Sequence, residues 1–384
     1  MSAIRVLFHV QHLLGIGHWR RAVALTRAMV AAGLEVTLLS GGPAEPAEIS
    51  GDCTVIQLPA ARAADAAFTA ILDAQGGPID DVFRARRRAA VLAAFVHTRP
   101  DILLVESFPF GRRAFRFELL PLLAAARAAR PRPLILSSIR DVLVERRDPA
   151  RSDEIVATVR RDFDAVLVHG DPALLPLDAS FPAAARIADR LRYTGYVTAP
   201  AATDKGAGGS GEVIVSAGGG AVGAALLRAA LAARPLSPLA DAPWRLLAGP
   251  HLPEAEWRAL AAALPPGVAL ERFRADFPAL LGRCLLSISQ AGYNTILDIL
   301  RARARAIVVP FAAGRETEQA LRSAVLARHG FVHVLAETRL DGPSLAGAVA
   351  AALAAPPPPP VALRLDGAAA TATVLGELVR NRNC

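Results

Sequence analysis

The sequence predicts an α/β protein built from two consecutive βα domains, and three observations carry this prediction. Short apolar, β-branched runs alternate with longer Ala-, Leu- and Arg-rich stretches of helical periodicity, a pattern typical of parallel sheets. The alternation occurs in two series, separated by residues 200–211, which hold almost no large apolar side chains. The 384 residues also suffice for two domains with separate cores.

The first series predicts a domain over residues 1–199 and the second a domain over residues 212–355, with a flexible linker at 200–211. The candidate strands of the first series are Ile4–His9, Glu35–Leu39, Thr54–Leu58, Asp101–Val105, Leu134–Ser138 and Ala165–His169, and the series ends near Tyr193–Val197. Those of the second series are Glu212–Ser216, Trp244–Ala248, Val268–Glu271, Cys284–Ser287, Arg305–Val309 and Phe331–Val334.

A proline-rich connector and a last helix are predicted over residues 356–384. Pro356–Pro360 cannot be helical and should form a stiff, extended segment. Val361–Arg380 again has the composition of a helix. We expect this helix to pack back toward the first domain.

Composition and charge exclude several classes of protein. The net charge is +8, but Lys205 is the only lysine and the sequence has no basic tail, so a nucleic-acid partner is not expected. No apolar run reaches the roughly 18 residues of a membrane span, and the first ten residues do not form a secretory signal. Cys53, Cys284 and Cys384 are too widely spaced for a metal cluster or a disulfide framework. We therefore expect a cytoplasmic protein, and the sequence does not set its oligomeric state.

The turn after the first strand places a histidine at the start of a helix. Gly15 and Gly17 would open a dinucleotide-binding loop, but Arg20 stands at the third glycine position. The second strand ends in Ser40–Gly42 and lacks the acidic residue that such a loop needs. At the carboxyl ends of parallel strands, the imidazole of His18 can act as a general base. The alternative is that His18 only caps its helix.

A second glycine-rich turn, Gly218–Gly220, follows the first strand of the second domain. Backbone N–H groups and a helix dipole converge at such a turn, which is the geometry that receives phosphate oxygens. Two further motifs follow it at distinctive spacing: Ser289–Thr295 with Asp298, and Arg315–Gln319 after a strand that ends in Pro-Phe.

The order and spacing of these motifs resemble the donor-binding half of GT-B glycosyltransferases, particularly family 28 and its peptidoglycan N-acetylglucosaminyltransferase. The Gly17-His18 turn matches the same family, and the likeness covers nearly the whole chain. Val105–Arg113 and Val168–Pro172 are typical of a bacterial group of predicted glycosyltransferases. The resemblance implies two Rossmann-like domains facing each other across a cleft, with the acceptor in the first and the donor in the second.

This resemblance implies a hexosyltransferase that moves a sugar from a nucleoside-diphosphate sugar, expected to be a UDP-sugar, to an acceptor hydroxyl. Transfer is expected to invert the anomeric carbon and to need neither a cofactor nor a metal. His18 would be the base, and Glu106 would orient it or contact the acceptor. The sequence does not identify the acceptor. The alternatives are a nucleotide-sugar 2-epimerase on the same fold and a non-catalytic nucleotide-sugar-binding protein.

The resemblance also implies which residues contact each substrate. The expected donor-binding residues are Gly218, Gly219, Gly220, Phe273, Gly292, Tyr293, Asn294, Thr295, Asp298, Glu318 and Gln319. The two glycine-rich helix starts would hold the diphosphate, Asp298 the ribose, and Glu318 with Gln319 the sugar hydroxyls, while Phe273 lies in the loop against the base. On the acceptor side are Gly15, Gly17, Arg112 and Arg113. The peptidoglycan enzyme has Glu and Gln at the positions of Asp298 and Glu318, so the resemblance does not imply which sugar is moved.

Two charged features have simpler interpretations. Asp162 and Asp164 spell the D-x-D triplet that binds a metal in the other main glycosyltransferase fold, but they lead into a strand of the first domain, so we expect solvated carboxylates and no metal. Arginine runs at residues 84–88 and 112–116 are expected to be solvated helix faces. An anionic acceptor, or peripheral contact with the inner membrane face, is the alternative.

Overall fold

The computed structural model describes residues 3–13, 17–44, 53–65, 69–143, 148–198, 208–218, 223–311, 318–360 and 363–383. The chain divides into two compact units. Unit 1 comprises Met1–Ala199 with Leu363–Cys384, and unit 2 comprises Pro200–Ala362. Each unit has a parallel sheet with helices, so the predicted fold class, two Rossmann-like α/β halves, is confirmed.

Unit 1 is built on a seven-stranded parallel sheet. Its strands and a small antiparallel pair are, in chain order, β1 (Arg5–Val10), β2 (Glu35–Ser40), β3 (Cys53–Gln57), β4 (Arg62–Ala63), β5 (Ile71–Leu72), β6 (Ile102–Glu106), β7 (Leu134–Arg140), β8 (Ala165–His169) and β9 (Leu191–Tyr193). The sheet order is β3-β2-β1-β6-β7-β8-β9, and β4 pairs with β5. Strands β6 and β8 are buried at every residue, which explains their continuous apolar runs.

The helices of unit 1 cover the sheet. They are α1 (Gly17–Ala31), α2 (Asp81–Thr98), α3 (Arg116–Ala128), α4 (Pro149–Asp162) and, from the end of the chain, α11 (Gly367–Asn383), with 3-10 turns at Arg113–Phe115, Leu177–Ala179 and Pro182–Arg190. Asp80 caps α2 by accepting the Phe83 N–H at 2.7 Å. The order reverses between β1 and β6, and in parallel α/β sheets the crevice at such a reversal is where ligands bind.

The last helix returns to unit 1 and packs on α1. Ala372 and Leu375 of α11 join the core formed by Leu25 and Met29 of α1 with the sheet. The helix begins at a close backbone approach, because a Cβ on Gly367 would lie 2.3 Å from the carbonyl oxygen of Gly195. Glycine is therefore required where the returning chain meets unit 1.

Unit 2 is built on a six-stranded parallel sheet. Its strands are β10 (Val213–Ser216), β11 (Trp244–Leu247), β12 (Val268–Glu271), β13 (Leu286–Gln290), β14 (Ala306–Val309) and β15 (His333–Val334), in the order β12-β11-β10-β13-β14-β15. Its helices are α5 (Ala224–Ala233), α6 (Glu254–Ala262), α7 (Phe277–Leu281), α8 (Tyr293–Ala302), α9 (Glu318–Arg328) and α10 (Gly342–Ala354), with 3-10 turns at Arg234–Leu236 and Glu337–Arg339. Here the strand order reverses between β10 and β13.

Two details of the predicted elements need correction. The last helix begins at Gly367 instead of at residue 361. The strand predicted from Cys284 begins at Leu286, because the Cys284 N–H still bonds to the Leu280 carbonyl in the turn that follows α7.

The predicted solvated faces were wrong for Arg87 and Asp162, and also for Arg112, whose side chain is only 11% exposed. Arg87 is fully buried: its guanidinium pairs with Glu118 of α3 (Nε to Oε2, 2.5 Å) and lies over the Phe115 ring. Asp162 is also buried, and its carboxylate pairs with Arg127 at 2.8 Å and Arg161 at 2.7 Å. Both side chains point inward because a partner from elsewhere in the chain offsets the cost of burying their charge.

Candidate active site

Two side chains meet where β1 and β6 end in unit 1. His18 is the second residue of α1, the helix that follows β1, and Glu106 is the last residue of β6. The Nδ1 atom of His18 lies 2.5 Å from Oε1 of Glu106. The Glu106 side chain is 1% exposed, whereas that of His18 is 18% exposed. The imidazole is thus held by a buried carboxylate while part of its ring stays open to solvent.

The charge on Glu106 fixes the tautomer of His18. Burial alone would raise the pKa of Glu106, but His18, Arg112 and Arg21 favour the carboxylate and bring that pKa well below its usual range. An ionised carboxylate only accepts hydrogen bonds, so Nδ1 of His18 carries the proton and donates it. The Nε2 atom is then the basic nitrogen, and it accepts a hydrogen bond from Nη2 of Arg140 at 3.2 Å.

His18 is neutral at physiological pH because burial and nearby arginines disfavour its charged form. Its pKa is lowered to about 3, first by burial and then by Arg112 and Arg140, against which Glu106 acts in the opposite direction. A neutral imidazole with a defined basic nitrogen can accept a proton from a hydroxyl group.

Three arginines surround this pair. Arg21, one turn along α1, donates from Nη2 to Oε1 of Glu106 at 2.5 Å and is 2% exposed. Nη2 of Arg112 lies 3.6 Å from Oε2 of Glu106. Arg140, at the end of β7, completes the group. Only Arg112 of these was predicted to lie at the site, because isolated arginines on a helix and at a strand end have no recognisable pattern.

The remaining acceptor-side predictions have different outcomes. Gly17 is the first residue of α1, and Gly15 lies outside the described residues. Arg113 is exposed in the 3-10 turn, whereas Arg112 before it has φ 58° and turns its side chain inward, to 11% exposure.

A second buried histidine, His169, ends β8 and was not singled out as a functional residue. Its Nε2 lies 2.7 Å from Oγ of Ser138, and its Nδ1 lies 2.8 Å from Oγ1 of Thr194. Burial is the first cause that lowers its pKa to about 3, and the charge of Arg21 adds to it. His169 is therefore a neutral side chain, hydrogen-bonded through both ring nitrogens, near Arg21.

The predicted diphosphate-binding residues lie where β10 and β13 end in unit 2. Gly218 follows β10 with φ +71°, and Gly219 and Gly220 lie outside the described residues. Gly292 caps α8 in an extended conformation. Partly exposed side chains on the first turns of this helix are Asn294, Thr295 and Asp298, whereas Tyr293 is buried. The N-terminal N–H groups of α8 and the Asp298 carboxylate therefore share one accessible region of unit 2.

The residues predicted to hold the sugar and the base have protein partners of their own. Glu318, the first residue of α9, is buried and accepts a hydrogen bond from Nη2 of Arg322 at 2.8 Å. Oε1 of Gln319 accepts the Phe311 N–H at 3.1 Å. Phe273 is 56% exposed, and an ion pair flanks it on each side, because Arg272 pairs with Glu254 and Arg274 with Asp276.

Neither a metal cluster nor a membrane-spanning helix was found in the part of the chain that the structure describes. No group of three His, Cys, Asp or Glu side chains among those residues is placed to hold a metal ion. The D-x-D carboxylates are engaged by arginines, since Asp164 pairs with Arg132 at 3.0 Å and accepts the Ile135 N–H at 2.8 Å. None of the described helices is both long and apolar enough to cross a bilayer.

Known proteins resemble the chain in two ways. Residues 214–359 match the family model of the glycosyltransferase family 28 C-terminal domain. The calicheamicin glycosyltransferase CalG4 has a similar structure, with a TM-score of 0.62, 15% identity, and 100% of this chain and 98% of that chain covered. For MurG of Acinetobacter baumannii the TM-score is 0.56 at 15% identity, covering 97% and 99% of the two chains. For SnogD of Streptomyces nogalater it is 0.57 at 20% identity, covering 98% and 100%.

Fold and family match together define the class of this protein: it is a glycosyltransferase of the GT-B fold. The structural similarities establish the fold over the whole chain. The family match is more specific and concerns unit 2, whose residues 214–359 match the glycosyltransferase family 28 C-terminal domain.

Proposed function

We propose that this chain transfers a hexosyl group from a UDP-sugar to an acceptor hydroxyl, with inversion at the anomeric carbon and without a metal ion. The observation that carries the proposal is the pair of His18 and Glu106 at the carboxyl ends of β1 and β6. A carboxylate that holds one imidazole nitrogen and leaves the other basic is the arrangement of a general base.

In the proposed reaction, the sugar is transferred by a single nucleophilic displacement at its anomeric carbon. The acceptor oxygen attacks the anomeric carbon, its proton passes to Nε2 of His18, and the bond from that carbon to the diphosphate oxygen breaks with its electron pair leaving on UDP. Glu106 stabilises the imidazolium that forms, because its carboxylate already accepts the Nδ1 proton at 2.5 Å. Because attack and departure occur on opposite sides of the carbon, the product has the inverted configuration.

The donor assignment rests on unit 2. The start of α8 presents backbone N–H groups beside Asn294 and Thr295, and a helix N-terminus favours an anion by about 0.3–1 kcal/mol at an exposed site. Asp298, one turn further on, is partly exposed and has a carboxylate suited to ribose hydroxyls. The helix dipole and N–H groups supply the stabilisation of the leaving diphosphate that a metal supplies elsewhere.

The proposed compartment is the cytoplasm. Cys53 and Cys284 are free thiols, which is typical of a reducing environment. Peripheral contact with a membrane stays a prediction from the arginine runs.

The test combines donor binding with acceptor-dependent release of nucleotide. A panel of UDP-, TDP- and GDP-sugars is screened by thermal shift, where a ligand at 100 times its Kd stabilises by about 2.7 kcal/mol. Binders are then incubated with pooled acceptors, with and without a chelator, and the anomeric configuration of the product is read by NMR. We expect a UDP-sugar to bind and UDP to be released only with acceptor, chelator or not.

Three results would contradict the proposal. Failure of every nucleotide sugar to bind would remove the donor assignment. Conversion of the sugar to its epimer without acceptor would indicate a 2-epimerase. Loss of turnover with chelator, restored by magnesium or manganese, would show that a metal is needed.

A further inference from the structure

The basic nitrogen of His18 is already occupied by an arginine. Nη2 of Arg140 donates to Nε2, the atom that must receive the acceptor proton in the proposed function. While this hydrogen bond persists, the lone pair of Nε2 cannot accept a proton from a hydroxyl group. The arrangement therefore needs something that moves Arg140 before transfer begins.

Among the described residues around His18, positive charge exceeds negative charge. The guanidinium groups of Arg21, Arg112 and Arg140 interact electrostatically with His18 or Glu106, and Glu106 is the carboxylate that faces them. Asp141 follows Arg140 but is buried against Gly170, at the end of β8. Among the described residues, three guanidiniums face at most two carboxylates at this partly buried site, which leaves an excess of positive charge.

The guanidinium of Arg112 has N–H donors that are not used in hydrogen bonds to the described residues. Its Nε and Nη2 atoms are buried, and neither has a hydrogen-bond partner among the described residues, although Nη2 is within ion-pair distance of Glu106. Burial of unsatisfied guanidinium donors is costly, and a carboxylate or phosphate is the group whose paired oxygens fit them. Oxyanion binding would satisfy these donors and neutralise the excess charge together.

We propose that the acceptor carries an oxyanion, a carboxylate or a phosphate, which binds Arg112 and Arg140 and thereby draws Arg140 away from Nε2 of His18. The inference rests on the proposed function and names its substrate class. A neutral acceptor leaves Arg140 in place and His18 blocked. An anionic one frees the base in the same step in which it binds.

Electrostatics supports this arrangement. Arg112 and Arg140 both lower the pKa of His18, so an anion that neutralises them makes Nε2 more basic at the moment when it must accept a proton. Of the other charged groups nearby, Glu106 acts in the opposite direction and Arg21 is paired with it. His169 is neutral and hydrogen-bonded to Ser138 and Thr194.

The experiment titrates the full chain, labelled with ¹⁵N-histidine, with inorganic phosphate at constant ionic strength, chloride serving as the reference anion. The Nε2 resonance of His18 is identified by its absence in His18→Ala. We expect it to move saturably with phosphate and not with chloride. In Arg112→Gln and Arg140→Gln we expect phosphate to bind about tenfold to hundredfold more weakly, the share of one or two charge-assisted hydrogen bonds.

Two further variants, Arg140→Lys and Arg192→Gln, show whether a change in phosphate affinity comes from the charge at residue 140 or from a general effect of replacing an arginine. Arg140→Lys keeps the charge and should retain part of the phosphate affinity, whereas Arg140→Gln should raise the pKa of His18 in the same spectra. Arg192→Gln is the matched control, because Arg192 is exposed and donates hydrogen bonds to the carbonyls of Asp189 and Leu191. It should bind phosphate as the parent does.

A parallel titration with UDP distinguishes the acceptor from the donor as the source of the oxyanion. We expect Arg112→Gln and Arg140→Gln to bind UDP as the parent does. A loss of UDP affinity of tenfold or more would assign the cluster to the donor diphosphate and overturn the proposal. So would a His18 resonance that ignores phosphate. Failure of the proposed function would instead appear as His18→Ala retaining turnover, whatever phosphate does.

Discussion

Replacing Glu106 by Gln isolates the contribution of one charge to the base. The amide oxygen can still accept the Nδ1 proton of His18, so the tautomer and ring position can persist while the negative charge is lost. Unit charges about 4 Å apart interact by roughly 4 kcal/mol at an effective dielectric constant of 20. Since every 1.36 kcal/mol is a factor of ten in rate, loss of imidazolium stabilisation should lower kcat by about 10²–10³-fold.

The assay measures initial rates of UDP release at saturating donor, with the donor Kd determined separately. The matched control is Glu118→Gln, a second buried glutamate that contacts a histidine (His9, 3.0 Å) and an arginine (Arg87, 2.5 Å) without touching His18. Breaking that buried pair should destabilise the fold by about 3–5 kcal/mol in urea unfolding while the folded protein keeps parental turnover. If Glu106→Gln retains kcat within about threefold of the parent, Glu106 does not assist the base.

Three other predictions follow from the same geometry. His18→Ala should lower turnover by about 10²–10⁴-fold and leave the UDP Kd unchanged by calorimetry; parental turnover would reduce His18 to a helix cap. The proposed base works unprotonated and the pKa of His18 is lowered to about 3, so kcat/KM should stay flat between pH 5 and 8 and fall only at lower pH. A fall in kcat/KM with an apparent pKa near 6.5 would show that the imidazole of the free enzyme titrates normally. Asp298→Ala should weaken UDP binding by about 1–3 kcal/mol, the cost of leaving ribose hydroxyls unsatisfied, and unchanged affinity would remove Asp298 from the ribose site.

The fold was predictable because its signals are local. Strands such as β6 and β8 are buried on both faces and therefore read as continuous apolar runs, and glycines mark the turns into α1 and α5. Strand order is less local, but both sheets follow the usual doubly wound pattern, in which the chain returns to the centre of the sheet before building its second half.

The site was predictable only in part, because its electrostatics depends on residues far apart in sequence. His18 and Glu106 are 88 residues apart, and their contact was expected only as one of two roles for Glu106, the other being a contact with the acceptor. The pairing of β1 with β6 brings the two side chains together. Arg140 is 122 residues from His18, and a single arginine at a strand end has no distinguishing pattern. The same limitation explains Arg87, whose neighbours in sequence are exposed while its own partner lies on another helix.

The packing of α11 on α1 has a consequence for synthesis on the ribosome. Unit 2 is continuous in sequence and can complete its core once Ala362 has emerged, whereas unit 1 needs its last helix, Gly367–Asn383. Domains usually fold in the order in which they are made, and here the one begun first is finished last. Until then the helix that holds His18 lacks the side chains of Ala372 and Leu375 that cover its apolar face. A released chain that ends before residue 367 should therefore contain a complete unit 2 and an unfinished unit 1.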